Sequence, residues 1–215
     1  MEIAMMGTLG LALGIGSYFL TILMIRKRSA NPVTGMLMDN RLGWMVWAIC
    51  SALVSILIAA AIGVNAKGTE VLAIFLIVGC LSIVDTNIRK IPNELLAALL
   101  IIRISVMISQ GSAVELKSAL MGLLAGFLIF QLPAMLHISI GWGDVKYAAV
   151  AGFYLGLIGL FQAIAVMSLA LGIYTLYLYI TKRGTIKKKV AMGPSFSLGL
   201  FTTILFPVVV NLKLI

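Results

Sequence analysis

The sequence predicts an all-α fold, a polytopic membrane helical bundle of about eight transmembrane segments. Three observations carry that expectation. The 215 residues are 62% hydrophobic, with a mean hydropathy of +1.15. Only 11% are charged, where soluble domains run near a quarter. The apolar residues also fall in long blocks, and about 20 of them in helical form cross the roughly 30 Å hydrocarbon core. Disorder, a disulfide scaffold and a coiled coil are excluded by the same composition. Spans and short connections nearly exhaust the chain. Residues 1–215 therefore read as one membrane-embedded domain, with a two-helix N-terminal part at 1–69 and a helical core at 70–211.

The elements follow in order. The first apolar stretch, at about 4–25, starts after Glu2 without the basic start and shorter apolar region of a secretory signal, so it reads as a retained span. The next stretches lie at about 44–64, 70–84, 94–109 and 118–137. In the last of these Pro133 should kink the helix near Gln131, whose side chain could satisfy a freed backbone group. From Asp144 to Ile180 a single helix would be roughly 55 Å long, far beyond the core thickness. Gly152, Gly156 and Gly159 offer places to break it, giving spans at 144–156 and 158–180. The final stretch is 194–211. Gly122 with Gly126, and Gly152 with Gly156, form GxxxG pairs that suit close helix packing.

The net charge of +9 comes from 16 Lys and Arg against 7 Asp and Glu. On a soluble chain that excess would suggest nucleic acid. On a membrane chain it reads as the positive-inside bias of cytoplasmic loops, with no nucleic-acid partner. If the 26–43 loop (Arg26, Lys27, Arg28, Arg41) is cytoplasmic, then Arg89, Lys90, Lys146, Lys182, Arg183, Lys187, Lys188 and Lys189 share its side. Only Lys67, Lys117 and Lys213 fall outside, while Arg103 lies within a span. A single span over 144–180 would export the five-charge loop at 181–193, against the rule. Eight spans with both termini outside is the expected topology. The loops at 26–43, 85–93, 138–143 and 181–193 then face the cytoplasm, and the basic stretch 182–189 is expected to sit on anionic membrane lipids.

Several residues that could carry chemistry have plainer readings. Cys50 and Cys80 stand thirty residues apart in apolar runs, as small buried hydrophobes and not a disulfide or zinc pair. Arg103 is expected to snorkel toward the outer surface, with pairing to a carboxylate as the alternative. His137, the sole histidine, reads as an interfacial hydrogen-bonding residue. Among the acids, Glu2, Asp39, Glu70 and Glu115 read as solvated loop charges, and Glu94 as a carboxylate at a helix start. Asp85 and Asp144 are different. Each stands at the end of an apolar run, at the expected cytoplasmic boundary. Two carboxylates at one membrane level suit ion or proton handling, or aspartic proteolysis by a pair that shares one proton. Position alone leaves both open, beside a structural role.

The flanking residues favour proteolysis. Asp144 ends the Gly141-Trp142-Gly143-Asp144 run and is followed by Val145-Lys146. Glycines before the acid permit a sharp turn and leave room for a peptide strand. The acid then begins a helix, whose dipole favours its ionised form. Asp85 opens Asp85-Thr86-Asn87-Ile88-Arg89-Lys90-Ile91-Pro92-Asn93, in which Pro92 pre-sets the backbone and Asn93 can cap the next helix. An acid, a basic stretch and IPN, followed one hairpin later by GxGDxK, resembles the type IV prepilin peptidases, the bacterial branch of the GxGD membrane aspartyl proteases. Met192-Gly193-Pro194 looks like the family's entry to its last helix, and Gly16-Ser17-Tyr18-Phe19-Leu20 like its first helix. The resemblance is strong over about 80–205. Where the family often has a third glycine, this chain has Trp142.

The resemblance implies an aspartic endopeptidase of the cell inner membrane that removes basic leader peptides from type IV pilin-like precursors at the cytoplasmic face. It implies Asp85 and Asp144 as catalytic residues, with Gly141, Gly143, Lys146, Pro92 and Asn93 supporting them. No cofactor or metal is expected. Bifunctional members carry a cytoplasmic loop of paired cysteines linked to N-methylation of the product, whereas the 26–43 loop here has no cysteine. A peptidase without methyltransferase activity is the expectation. The alternative from another class is a proton- or cation-coupled transporter using the two boundary aspartates, which would favour acids nearer the midplane on broken helices.

Overall fold

Inside a bilayer a backbone must satisfy its own N–H and C=O groups, which is why the long apolar runs of this chain become helices. A computed structural model describes residues 2–28, 42–110, 113–135, 141–181 and 191–207. These form α1 (Glu2–Arg28), α2 (Gly43–Ile62), α3 (Ala66–Ile88), α4 (Asn93–Gln110), α5 (Ala113–Met135), α6 (Trp142–Ile180) and α7 (Gly193–Leu205), with no strand among the described residues. Five helical stretches are long and apolar enough to cross a membrane: Glu2–Arg28, Gly43–Ile62, Ala66–Ile88, Val114–Pro133 and Trp142–Ile180. The chain is a multi-pass helical membrane protein. It divides into two compact units, Met1–Lys90 and Ile91–Ile215.

The first unit is α1, α2 and α3. Gly10 and Gly14 of α1 press on Ser55 and Ser51 of α2, so closely that a Cβ at residue 14 would lie 2.7 Å from Ser51 Cβ. Small residues allow this approach where lipid supplies no hydrophobic drive between helices. The Ser55 hydroxyl donates to the Met6 carbonyl, tying the same two helices. Trp47 of α2 stacks on Phe75 of α3 at 6.0 Å, and its Nε1 donates to Ser17 Oγ of α1 at 3.0 Å. Ile25, Ile83 and Val84 form a buried cluster with Trp47 and Ile88 packed against it.

The second unit is built around α6, with α4, α5 and α7 against it. Gly122 and Gly126 of α5 meet Gly152 and Ala148 of α6 backbone to backbone, leaving no space for a Cβ at 122, 126 or 152. The two GxxxG pairs thus pack on each other within one chain. Gly156 interrupts α6 with φ 72 and ψ 179, a region open in practice only to glycine. The expected break therefore falls at the middle glycine of the three. The arm 157–180 is about 36 Å long, enough to span alone.

Some boundaries differ from the hydropathy reading. Asn65 caps α3 by accepting from the Gly68 N–H at 2.8 Å, so this helix starts at Ala66 instead of 70. α5 starts at Ala113 instead of 118, taking Glu115 and Lys117 into its first turns. α7 stops at Leu205, well before 211. Phe206 departs from helical angles, and the next residue, Pro207, has no N–H to continue the ladder. Pro133 lies within the last turn of α5, which continues to Met135.

Candidate functional site

Asp85 sits in the last turn of α3, which ends when Arg89 turns left-handed (φ 51) and returns its N–H to the Asp85 carbonyl at 2.9 Å. The residue is only 5% exposed, beside the buried pair Ile83 and Val84. Burying a carboxyl group in an apolar helix is costly, and a buried acid is a candidate functional group for that reason.

Asp144 has the opposite setting. Gly141 is the N-cap of α6, with φ −71 and ψ 139, and its carbonyl accepts the Asp144 N–H at 2.9 Å. Asp144 is the third helical residue, half-buried at the positive end of the helix dipole. Neither glycine of the motif uses a positive φ. Their service is room. A Cβ at 141 would approach Asp144 Oδ2 to 3.1 Å, crowding the carboxylate itself. A Cβ at 143 would stand 3.1 Å from Ile91 Cβ, so this glycine lets the Ile-Pro-Asn entry of α4 lie against the start of α6.

Lys146 strengthens that seam, its Nζ reaching Asn93 Oδ1 at 3.4 Å. Asn93 is the first residue of α4 and not its cap. The buried Pro92 precedes it, with a carbonyl that accepts the Leu96 N–H at 3.4 Å. The second unit thus gathers Pro92, Asn93, Gly141, Gly143, Asp144 and Lys146 where α4 and α6 begin. Asp85 belongs to the first unit.

The sequence reading missed the anchor one turn beyond Asp144. Tyr147, almost fully buried, bonds through its hydroxyl to Ser197 Oγ of α7 at 2.8 Å. Its ring meets Phe196 edge-on at 4.8 Å, and Phe196 meets Phe130 of α5 at 5.8 Å. Tyrosine in an apolar run, with a hydroxyl that needs a partner, was the available signal.

Arg103 makes the carboxylate pairing that stood as the alternative to snorkelling. Its Nη2 lies 3.5 Å from Glu115 Oε2, and its guanidinium stands 5.6 Å from the centre of the Tyr154 ring. The early start of α5 brings Glu115 within reach, so this acid is not a lone loop charge. Cys80 is buried as expected, but Cys50 is exposed on α2, so only one of the two thiols fits the reading as a buried hydrophobe. His137 and Asp39 lie outside the described residues, as do Arg41, the basic run 182–189 and Lys213.

Residues 71–176 match the model of the type IV leader peptidase family, a range that holds Asp85, Pro92, Asn93, Gly141, Gly143, Asp144 and Lys146. No curated protein and no solved structure matches the chain.

Proposed function

We propose, from the match of residues 71–176 to the type IV leader peptidase family, that this chain is a membrane peptidase for prepilin-like substrates, an aspartic endopeptidase in which Asp85 and Asp144 act on one peptide bond. The Asp144 carboxylate takes a proton from water, and the water oxygen bonds to the scissile carbonyl carbon. Asp85 delivers its proton to the leaving nitrogen as the C–N bond breaks. A shortened leader with a new carboxylate and a mature chain with a free amine result. The observation that carries these roles is the contrast of helix ends. A helix N-terminus stabilises a charged acceptor at Asp144, while a buried position in the last turn of α3 suits a proton-bearing donor at Asp85.

The substrate proposal is a precursor with a basic leader, cut after a glycine at the cytoplasmic face of the inner membrane. The positive-inside pattern supports that face. Product methylation is not proposed, because cysteine-held zinc takes about four ligands, and the chain has 2 cysteines, both on apolar helices. Gly141, Gly143, Pro92, Asn93 and Lys146 shape the entrance of the two helices around Asp144, and anionic lipids contact the basic loops.

Incubation of the purified protein with a purified prepilin in detergent tests the reading. A discrete product of mature length is expected, and Asp39→Asn and Glu115→Gln should still form it. Intact precursor combined with aspartate-dependent proton flux in vesicles would replace this reading with the transporter.

A further inference from the structure

The first segment of α6, from Trp142 to the break at Gly156, carries Asp144 and packs on α5 through small residues. Gly122 and Gly126 meet Gly152 and Ala148 there, backbone against backbone. Such surfaces fix how closely two helices approach. Without interlocking side chains they do little to stop a helix from turning about its axis.

A directed contact supplies what the glycines do not. Tyr147 stands three residues beyond Asp144, on the same side of the helix and about 4.5 Å along its axis. Its hydroxyl meets Ser197 Oγ of α7 at 2.8 Å, and both residues are buried. A buried hydroxyl that loses its partner goes unmet, so the bond is held. The long side chain acts as a lever, and even a small turn of α6 would break it. Phe196, the neighbour of Ser197, meets the Tyr147 ring edge-on at 4.8 Å and the Phe130 ring at 5.8 Å.

A second tie joins α7 to α6 on the far side of the break. There Gln162 Nε2 donates to the Phe206 carbonyl at 2.7 Å. The non-helical angles at Gly156 separate the two segments. The Gln162 bond therefore acts on the far segment, and the Tyr147 bond on the segment that holds the acid.

We propose that Tyr147 and Ser197 are positioning residues, whose hydrogen bond sets the rotation of α6 that aims the Asp144 carboxylate at the attacking water. The proposal rests on the peptidase reading above. Neither side chain needs to touch substrate. A reacting group displaced by about 1 Å can lose about 100-fold in rate, so a slight turn of this helix is enough to matter.

The test uses the full chain in detergent with a purified prepilin. Tyr147→Phe and Ser197→Ala should each lower kcat about ten-fold and leave KM within about two-fold. Ser197→Ala strands the tyrosine hydroxyl and should melt several degrees lower. The double variant removes both partners, and its melting should return close to wild type. Its kcat should nevertheless stay about ten-fold low, no worse than the singles. Gln162→Met, cutting the other tie, should lower melting and keep kcat within about two-fold. Turnover that recovers with melting in the double variant would show a merely structural bond and overturn the proposal. Unchanged kcat in Tyr147→Phe, single losses that multiply, or an equal kcat loss in Gln162→Met would overturn it too. Each of those outcomes leaves the peptidase reading standing. Failure of the wild type to cut the prepilin would bring down that reading itself, and this proposal with it.

Discussion

The two units solve the same packing problem with different tolerances. In the first, α1 glycines lie against serine side chains of α2, and the Ser55 hydroxyl reaches across to the Met6 carbonyl. In the second, α5 and α6 meet backbone against backbone, with glycine on both sides. No rotamer change moves a serine Cβ, but the overlap is smaller in the first unit. A Cβ at Gly14 would lie 2.7 Å from Ser51 Cβ, against 2.1 Å from the Gly122 carbonyl oxygen for one at Gly152. The acids divide in the same way. Asp85 is buried at the end of a helix in the more forgiving unit, and Asp144 opens a helix in the more rigid one. The difference teaches that rigidity is concentrated where α4, α5 and α7 hold the first turns of α6.

That contrast can be broken by adding methyl groups. The largest loss is expected for Gly152→Ala, because over-packing costs about 1–3 kcal/mol and a backbone neighbour puts this site at the upper end. Gly156→Ala follows. Its φ of 72 is closed to alanine, and its Cβ would lie 2.5 Å from Ser118 Oγ. A strained backbone of that kind costs about 1–3 kcal/mol. Gly14→Ala in the first unit should lose less, about 1 kcal/mol, because its added Cβ overlaps less with its neighbour. Thermal melting in one detergent ranks the three. Equal losses at 14 and 152 would erase the contrast between the units.

Smaller effects sharpen the picture near the site. Gly143→Ala must displace Ile91 by a few tenths of an ångström and should slow cleavage several-fold with little change in melting. Wild-type turnover by this variant would show that the seam between α4 and α6 does not set the position of Asp144. Arg103→Gln removes an ion pair whose carboxylate side chain is 39% exposed. Pairs of that kind contribute about 0–1 kcal/mol. Melting should barely shift and turnover should be unchanged, and a large loss of turnover would tie Arg103 to the chemistry.

Much of this was legible in the sequence, for identifiable reasons. Helix positions follow from apolar runs near span length, and the break at Gly156 follows from a run too long for one span. The GxGD and IPN segments announce themselves because acids are so few. Side-chain partners across long separations were not legible. Nothing local says that Gly143 makes room for Ile91, or that Tyr147 meets Ser197. The Arg103–Glu115 pair was missed because hydropathy starts α5 too late, and charged residues in a first turn look like loop.

The central claim is that Asp85 and Asp144 work as one catalytic unit, and single-turnover cleavage of a prepilin by three variants tests it most directly. Asp85→Asn and Asp144→Asn keep size and polarity while removing acid–base function, and each should lower the rate by about 10²–10⁴-fold. Because members of a unit fail together, the double variant should be no slower than the singles. Substantial turnover by a folded Asp144→Asn protein, or losses that multiply in the double variant, would contradict the account.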